Sequence, residues 1–193
     1  NYRQPNPEVL VPRYLRLPVE GRLDEAGAEL APLSEADVRT AIETFRREGV
    51  DSIAICFLHS YRNAAHEHAA RRVLAAEWPE AWVSCSADVA PVLGEYERGS
   101  TAVLNAYVMP RVVPYLAALQ RELTALGLAN DLLLMQSNGG AISVNEIGHR
   151  PIHLTLSGPA AALSALQYFG PDAGSNHLVS IEVGGTSCDV ALA

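Results

Sequence analysis

Cysteine is scarce. Cys56, Cys85 and Cys188 are the only three in 193 residues, far apart and with no CxxC pair. That excludes a disulfide framework and a thiolate zinc site, and it fits a reducing compartment. Charge is also sparse: charged residues make up 19% of the chain, and 14 basic residues face 22 acidic ones for a net charge of −8. The basic residues are scattered rather than gathered into a stripe, which argues against a nucleic-acid surface. A phosphate ligand stays open, because backbone N–H groups at loops and helix N-termini hold anions without entering the formal charge. No stretch approaches the ~20 uninterrupted apolar residues of a membrane-spanning helix. The first ten residues, NYRQPNPEVL, lack the basic-then-apolar pattern of a secretory signal. Internal repeats and low-complexity tracts are missing as well. These absences lead to the expectation of a cytoplasmic chain with no membrane and no nucleic-acid partner. An initiator Met is lacking too, and Asp189 to Ala193 stop within an apolar strand pattern, so the chain reads as an internal piece of something longer.

What is present reads as α/β. Hydrophobic residues at 49% are enough for a core, and the length fits one domain or two small lobes. Residues 1–18 carry four prolines and read as an extended connector or a frayed terminus. Ser34 then caps a helix with Val38, Ala41, Ile42 and Phe45 on one face, ended by Gly49. Ser52 to Leu58 forms a continuous apolar run that suits a buried parallel strand. A helix from Ala64 to Glu77 and a strand from Trp82 to Ser86 repeat the alternation. Residues 97–126 read as a long helix that Pro110 and Pro114 must break or kink. Asp131 to Met135 is a third strand, Gly158 to Leu166 a small-residue helix, and Leu178 to Val183 a final strand entering a Gly-Gly-Thr turn.

Three segments carry candidate chemistry. The strand–turn–strand around Gly184, Gly185 and Thr186 lets backbone approach a phosphate, because glycine has no Cβ and permits positive φ. Thr186 and Ser187 offer hydroxyls, while Glu182 and Asp189 are placed to hold Mg²⁺ directly or through water. An ordinary hairpin explains the same residues. Ser157 and Gly158 stand just ahead of a helix, where free N–H groups and the positive dipole end favour anions; plain helix capping is the alternative. Asn138 and Gly139 follow an apolar strand, the usual place for ligand loops in α/β proteins, and a simple left-handed turn accounts for them nearly as well. His59, His66, Glu67 and His68 lack the His-Glu-x-x-His zinc spacing and read as structural hydrogen bonding. Glu95, Glu97 and Arg98 read as a salt-bridged surface turn, and Cys56 and Cys85 as inert thiols in core strands.

Taken in order, Leu58-His59-Ser60-Tyr61-Arg62-Asn63, His66-Glu67, Glu95-Tyr96-Glu97-Arg98, Asn105-Ala106-Tyr107, Met135 to Gly140, Leu156 to Ala161 and Val183 to Val190 resemble the hydantoinase A and 5-oxoprolinase family. The resemblance covers essentially the whole chain. It implies part of an actin/sugar-kinase/Hsp70-like ATPase fold with a mixed sheet and flanking helices. Residues 1–98 would close the family's N-terminal region, and 99–193 would open the hydantoinase A region, ending in the second phosphate-binding hairpin. It further implies ATP and Mg²⁺ as cofactors and a B-type subunit or fused region as partner. The implied reaction opens a cyclic amide, a hydantoin or 5-oxoproline, after phosphorylation of its carbonyl oxygen. ATP-dependent carboxylation of acetone or acetophenone and a non-catalytic ATPase-like binding module are the alternatives. The sequence departs from the family pattern at Glu182, where Asp is typical, at Cys188, where Thr is, and at Ala162, where Gly is. With the first phosphate loop absent from these residues, the piece alone is expected to bind nucleotide weakly and to be inactive. No catalytic acid or base is assigned.

Overall fold

Asp24 folds the chain back on itself: its Oδ1 accepts from the amides of Ala26 at 2.9 Å and Ala28 at 2.8 Å. This closes the turn between two short antiparallel strands, β1 (Arg22–Leu23) and β2 (Glu29–Ala31). The computed structural model describes residues 9–174, 177–185 and 187–192. It divides into two compact units, one running to Pro110 and the other starting at Arg111.

In the first unit, Ser34 caps helix α1 (Glu35–Arg47) as its sequence directs, its hydroxyl accepting from the Asp37 amide at 3.2 Å. Gly49 follows in a left-handed conformation with φ 69° and ends the helix without a Cβ penalty. Strand β3 (Ser52–Ile55), helix α2 (Ala65–Glu77) and strand β4 (Trp82–Cys85) form a β-α-β unit whose strands pair in parallel, Ser52 opposite Trp82 and Ile55 opposite Cys85. The core joins Val38 and Ile42 of α1, Ile53 and Ile55 of β3, Val73 and Leu74 of α2, and Cys85. β3 buries only Ile53 and Ile55, so it is covered on one face and not, as its apolar run suggested, on both. Cys56 lies one residue beyond it and is exposed; its neighbours still desolvate the sulfur enough to raise its pKa. Cys85 does sit in the core.

A short helix α3 (Ser86–Val89) leads to α4 (Glu95–Ala125), one 31-residue helix. Pro110 and Pro114 do not break it. They sit four residues apart on one face, so the missing N–H groups open only two rungs of the ladder and the rungs between them hold. The compact-unit border falls at the first of these prolines. Within the first unit α4 buries Arg98, Ala102, Asn105, Ala106 and Met109, a single helical face. Its length and an 18-residue mean hydropathy of 1.3 match a membrane span by length and composition only, while the N-terminal part of the helix buries polar Arg98 and Asn105.

In the second unit β5 (Leu133–Met135) pairs antiparallel with β6 (Ala141–Ser143) and runs into α5 (Val144–Ile147). Leu116, Val144 and Ile147 form a small core there. Helix α6 (Ser157–Phe169) and the antiparallel pair β7 (Val179–Val183) and β8 (Cys188–Leu192) complete the unit. The mixed α/β character is as expected, but a single mixed sheet is not what forms: among the described residues the strands make four separate two-stranded ladders, one parallel and three antiparallel.

Candidate phosphate-binding site

Strand-forming Val179, Ile181, Val183, Val190 and Leu192 alternate with small or acidic residues and set the hairpin's register. The ladder runs from Val179 opposite Leu192 to Val183 opposite Cys188. The amide of Gly184 donates to the carbonyl of Ser187 at 2.9 Å and closes the turn. Thr186, predicted to add a hydroxyl, lies outside the described residues. Neither Gly184 nor Gly185 adopts a positive φ, so the glycines' backbone freedom goes unused here. Their contribution is space: a Cβ built on Gly185 meets no described atom within 4 Å, and one on Gly184 meets, among the described residues, the Ser187 carbonyl at 3.7 Å.

Glu182 and Asp189 are cross-strand partners, so both carboxylates project from the same face, with Cβ atoms about 5 Å apart by ladder geometry. Ser187 donates to Asp189 Oδ2 at 3.1 Å. Like charges placed directly opposite repel, and a divalent cation between them would remove that penalty. Among the described residues no set of three or more His, Cys, Asp or Glu side chains gathers as a metal site. Two carboxylates beside an open backbone turn are a donor set that suits Mg²⁺, an ion that keeps several waters and takes one or two carboxylates. The residues present therefore fit that ion.

The other two segments pack on the same helix. α6 starts one residue earlier than expected, so Ser157 and Gly158 are its first helical residues and not a cap ahead of it. Leu156 occupies the cap position with φ 57° and ψ 23°, left-handed and with no capping side chain. The amides of Ser157 and Gly158 thus lie outside the helical ladder, while that of Ala160 donates to the Leu156 carbonyl at 3.2 Å, and a Cβ on Gly158 would meet no described atom within 4 Å. Gln136 to Gly140 is the turn of the β5–β6 hairpin. Asn138 Oδ1 accepts from the Gly140 amide at 2.8 Å and Gly139 takes φ 82°, the geometry of a left-handed turn. A Cβ on Gly139 would lie 3.5 Å from Ser164 Oγ of α6. Between α6 and β7 runs a groove of about 370 Å³, lined by Ala162, Leu166, Phe169, Leu178 and Glu182. It brings Ala162 and Glu182, two of the three departures from the family pattern, to one place.

The upstream motifs do structural work in the first unit. Glu67, fully buried, accepts from the amides of Phe57 at 3.0 Å and Ala87 at 2.9 Å and from the Ser86 hydroxyl at 2.6 Å. Ser86 has given its one hydrogen to Glu67, so it accepts from Arg98 Nε at 3.2 Å and from Ser60 at 3.2 Å. Arg98, taken from sequence as a surface ion-pair residue, is 1% exposed and also donates to the carbonyls of Phe57 and Val92. Asn105 donates to Ser84 Oγ at 3.0 Å. His66 pairs with Glu29 at 2.9 Å and His68 with Asp88 at 2.7 Å, in line with the structural role expected of them. The Ser86 hub has no sequence signature: a single Ser between strand and helix looks like a cap, and only long-range packing reveals what it joins.

Two sequence models of one family match the chain: hydantoinase/oxoprolinase N-terminal region over residues 2–78, and hydantoinase/oxoprolinase over residues 98–193. Caprolactamase subunit alpha of Pseudomonas jessenii is 36% identical over 188 residues, 97% of this chain and 27% of the relative. Acetophenone carboxylase gamma subunit of Aromatoleum aromaticum is 35% identical, covering 98% of this chain and 26% of its own length. 5-Oxoprolinase of Saccharomyces cerevisiae is 31% identical over 90% of this chain and 13% of its own length. The crystal structure of the ATP-dependent caprolactamase superposes on the whole chain with a TM-score of 0.85 at 35% identity, over 28% of that structure's chain. The chain thus spans about a quarter of the bacterial relatives and less of the yeast one. With both of the family's regions matched in order along it, this chain belongs to the hydantoinase/oxoprolinase family.

Proposed function

We propose that these residues are part of an ATP-dependent enzyme of actin-like architecture that opens a cyclic amide, a hydantoin or 5-oxoproline, and that the β7–β8 hairpin is one of its two phosphate-binding turns. The observation that carries the reading is the conjunction, at one bend, of an open backbone at Gly185 and two carboxylates in direct cross-strand register. Gly184, Gly185, Thr186 and Ser187 would line the phosphates, with Ser157, Gly158, Asn138 and Gly139 supplying further amides. Glu182 and Asp189 would hold Mg²⁺, which when bound neutralises charge developing on the transferred phosphoryl group.

In the proposed reaction the amide carbonyl oxygen attacks the γ-phosphorus and ADP leaves. Water then adds to the activated carbon, the ring C–N bond breaks as the nitrogen takes up a proton, and a second water hydrolyses the resulting acyl phosphate to the carboxylate and free phosphate. A neutral amide is a poor electrophile, and catalysis of such a transfer consists chiefly of positioning and charge stabilisation. The partner in this reading is a B-type subunit or a fused region, in keeping with relatives named as subunits, and the setting is the cytoplasm.

ATP-dependent ketone carboxylation is the second reading, favoured by 35% identity to an acetophenone carboxylase subunit. ATP hydrolysis by the full-length protein with its second subunit, measured with 5-oxoproline, hydantoins, a lactam, and acetone or acetophenone plus bicarbonate, separates them. Turnover with a cyclic amide and no bicarbonate supports the first reading. Strict bicarbonate dependence with a ketone overturns it, and silence with every substrate points to a binding module.

A further inference from the structure

Among the described residues two that are not glycine take a positive φ, Leu156 at 57° and His59 at 60°. Leu156 opens α6 in the site already described. His59 lies half-buried in the first unit, in the turn between β3 and α2. That turn uses its backbone, since the His59 carbonyl accepts from the amides of Arg62 at 2.9 Å and Asn63 at 3.2 Å. Glycine reaches the same conformation without a Cβ clash and asparagine tolerates it, so the turn gives no reason for an imidazole. Structural hydrogen bonding, the role expected of His59 from sequence, is not what its side chain does. His66 and His68 pair with carboxylates, but the His59 side chain makes no hydrogen bond or ion pair with any described residue. Its ring meets that of Tyr61, centroids 6.3 Å apart, and Tyr61 in turn meets the Arg98 guanidinium, 5.7 Å from its centroid.

We infer that His59 is kept for its imidazole, as a proton-transfer residue. A left-handed backbone on a residue other than glycine is unfavourable, and where the fold does not require that side chain the strain marks a functional position. The position itself agrees: His59 follows the carboxyl end of β3, a strand paired in parallel with β4, and α/β folds meet their ligands beyond the carboxyl ends of such strands. Among the described residues no three His, Cys, Asp or Glu side chains gather to hold a metal. What a solitary, half-buried imidazole offers is to take and give a proton near neutral pH. The inference rests on the cyclic-amide reading above, whose second stage needs such a group. The imidazole takes a proton from the water that adds to the activated carbon. It passes that proton to the amide nitrogen as the C–N bond breaks and its electron pair stays on nitrogen. The hydroxyl left on carbon releases its own proton to solvent as the acyl phosphate carbonyl forms, and His59 ends as it began.

The test uses the full-length protein with its second subunit and a cyclic amide that the wild type turns over. His59→Gly removes the imidazole and the backbone strain together. Its melting temperature should equal that of wild type or exceed it, and its dissociation constant for Mg-ATP should not change. Its kcat should fall at least about a hundredfold, with part of the lost rate returned by added millimolar imidazole. His59→Asn, which suits the left-handed turn but carries no titrating group, should be as slow. The profile of kcat against pH should lose one limb in both variants. A kcat within about threefold of wild type overturns the inference. So does a lost rate whose pH profile keeps both limbs, or a melting temperature lowered by several degrees, either of which makes the ring structural. The two readings fail separately: a wild type that opens no cyclic amide sinks the reaction and this inference with it, whereas variants that keep pace with an active wild type sink this inference alone.

Discussion

Gly185→Val distinguishes a hairpin that receives a phosphate from one that only turns the chain. In the protein itself the substitution is undemanding: the added Cβ meets no described atom within 4 Å and the residue is not left-handed. Val also restricts the unfolded chain and suits a strand end, so folding stability should stay within about 0.5 kcal/mol of wild type. Against a ligand the same isopropyl group stands where main-chain amides would meet phosphate oxygens. One hydrogen bond to a charged group is worth about 1.5–3 kcal/mol, which converts to a loss of affinity of about ten- to a hundredfold. Calorimetry of Mg-ATP binding to the full-length protein, paired with melting curves without nucleotide, gives both numbers. An unchanged dissociation constant with an unchanged melting temperature would show that no phosphate approaches this bend, and the functional reading would fall with it.

Asp189→Asn should weaken Mg-ATP binding while stabilising the ligand-free protein by a few tenths of a kcal/mol, because it removes the repulsion with Glu182; calorimetry and denaturant melts give the two signs. Glu67→Gln keeps shape but not acceptors: the amide nitrogen would face the donor Ala87 or the pair Phe57 and Ser86. A loss of about 1–3 kcal/mol in urea unfolding is expected. Burial pushes the Cys85 thiol up from 9.0 to about 12. The folded state therefore keeps a proton that the unfolded state releases, and stability falls as pH rises through that window, by up to about 1.4 kcal/mol per unit. Cys85→Ala should flatten the decline between pH 9 and 12 relative to wild type in pH-dependent denaturation; equal slopes would contradict the assignment.

Local signals were legible and distant ones were not. Ser34, Gly49, and the apolar spacing of Val38, Ala41 and Ile42 place α1 to within a residue, because capping and periodicity act over a few residues. The Gly184–Gly185 bend between two strands was equally plain. Strand pairing was not, since whether β3 meets β4 or β5 meets β6 depends on closures across tens of residues, and four small ladders arise from a pattern that also suits one mixed sheet. α4 runs on through its two prolines, each of which removes one backbone donor and leaves the other rungs of a 31-residue helix in place. Arg98 misled for a different reason: its charge points to water, while its guanidinium is taken up by carbonyls of Phe57 and Val92 contributed from two loops. At the candidate site the acidic pair was visible as residues, but their exact opposition needed the register.

The Ser86 hydroxyl carries one further implication. Flanked by an anion that only accepts and a cation that only donates, its rotor has a single permitted setting, and that setting dictates the orientation of Ser60 in turn. The interior of the first unit is thereby wired in one direction, from guanidinium through hydroxyl to carboxylate. A repacked alternative with the same apolar contacts would have to reverse a hydrogen that neither end can supply, so this small alcohol helps to make the arrangement unique.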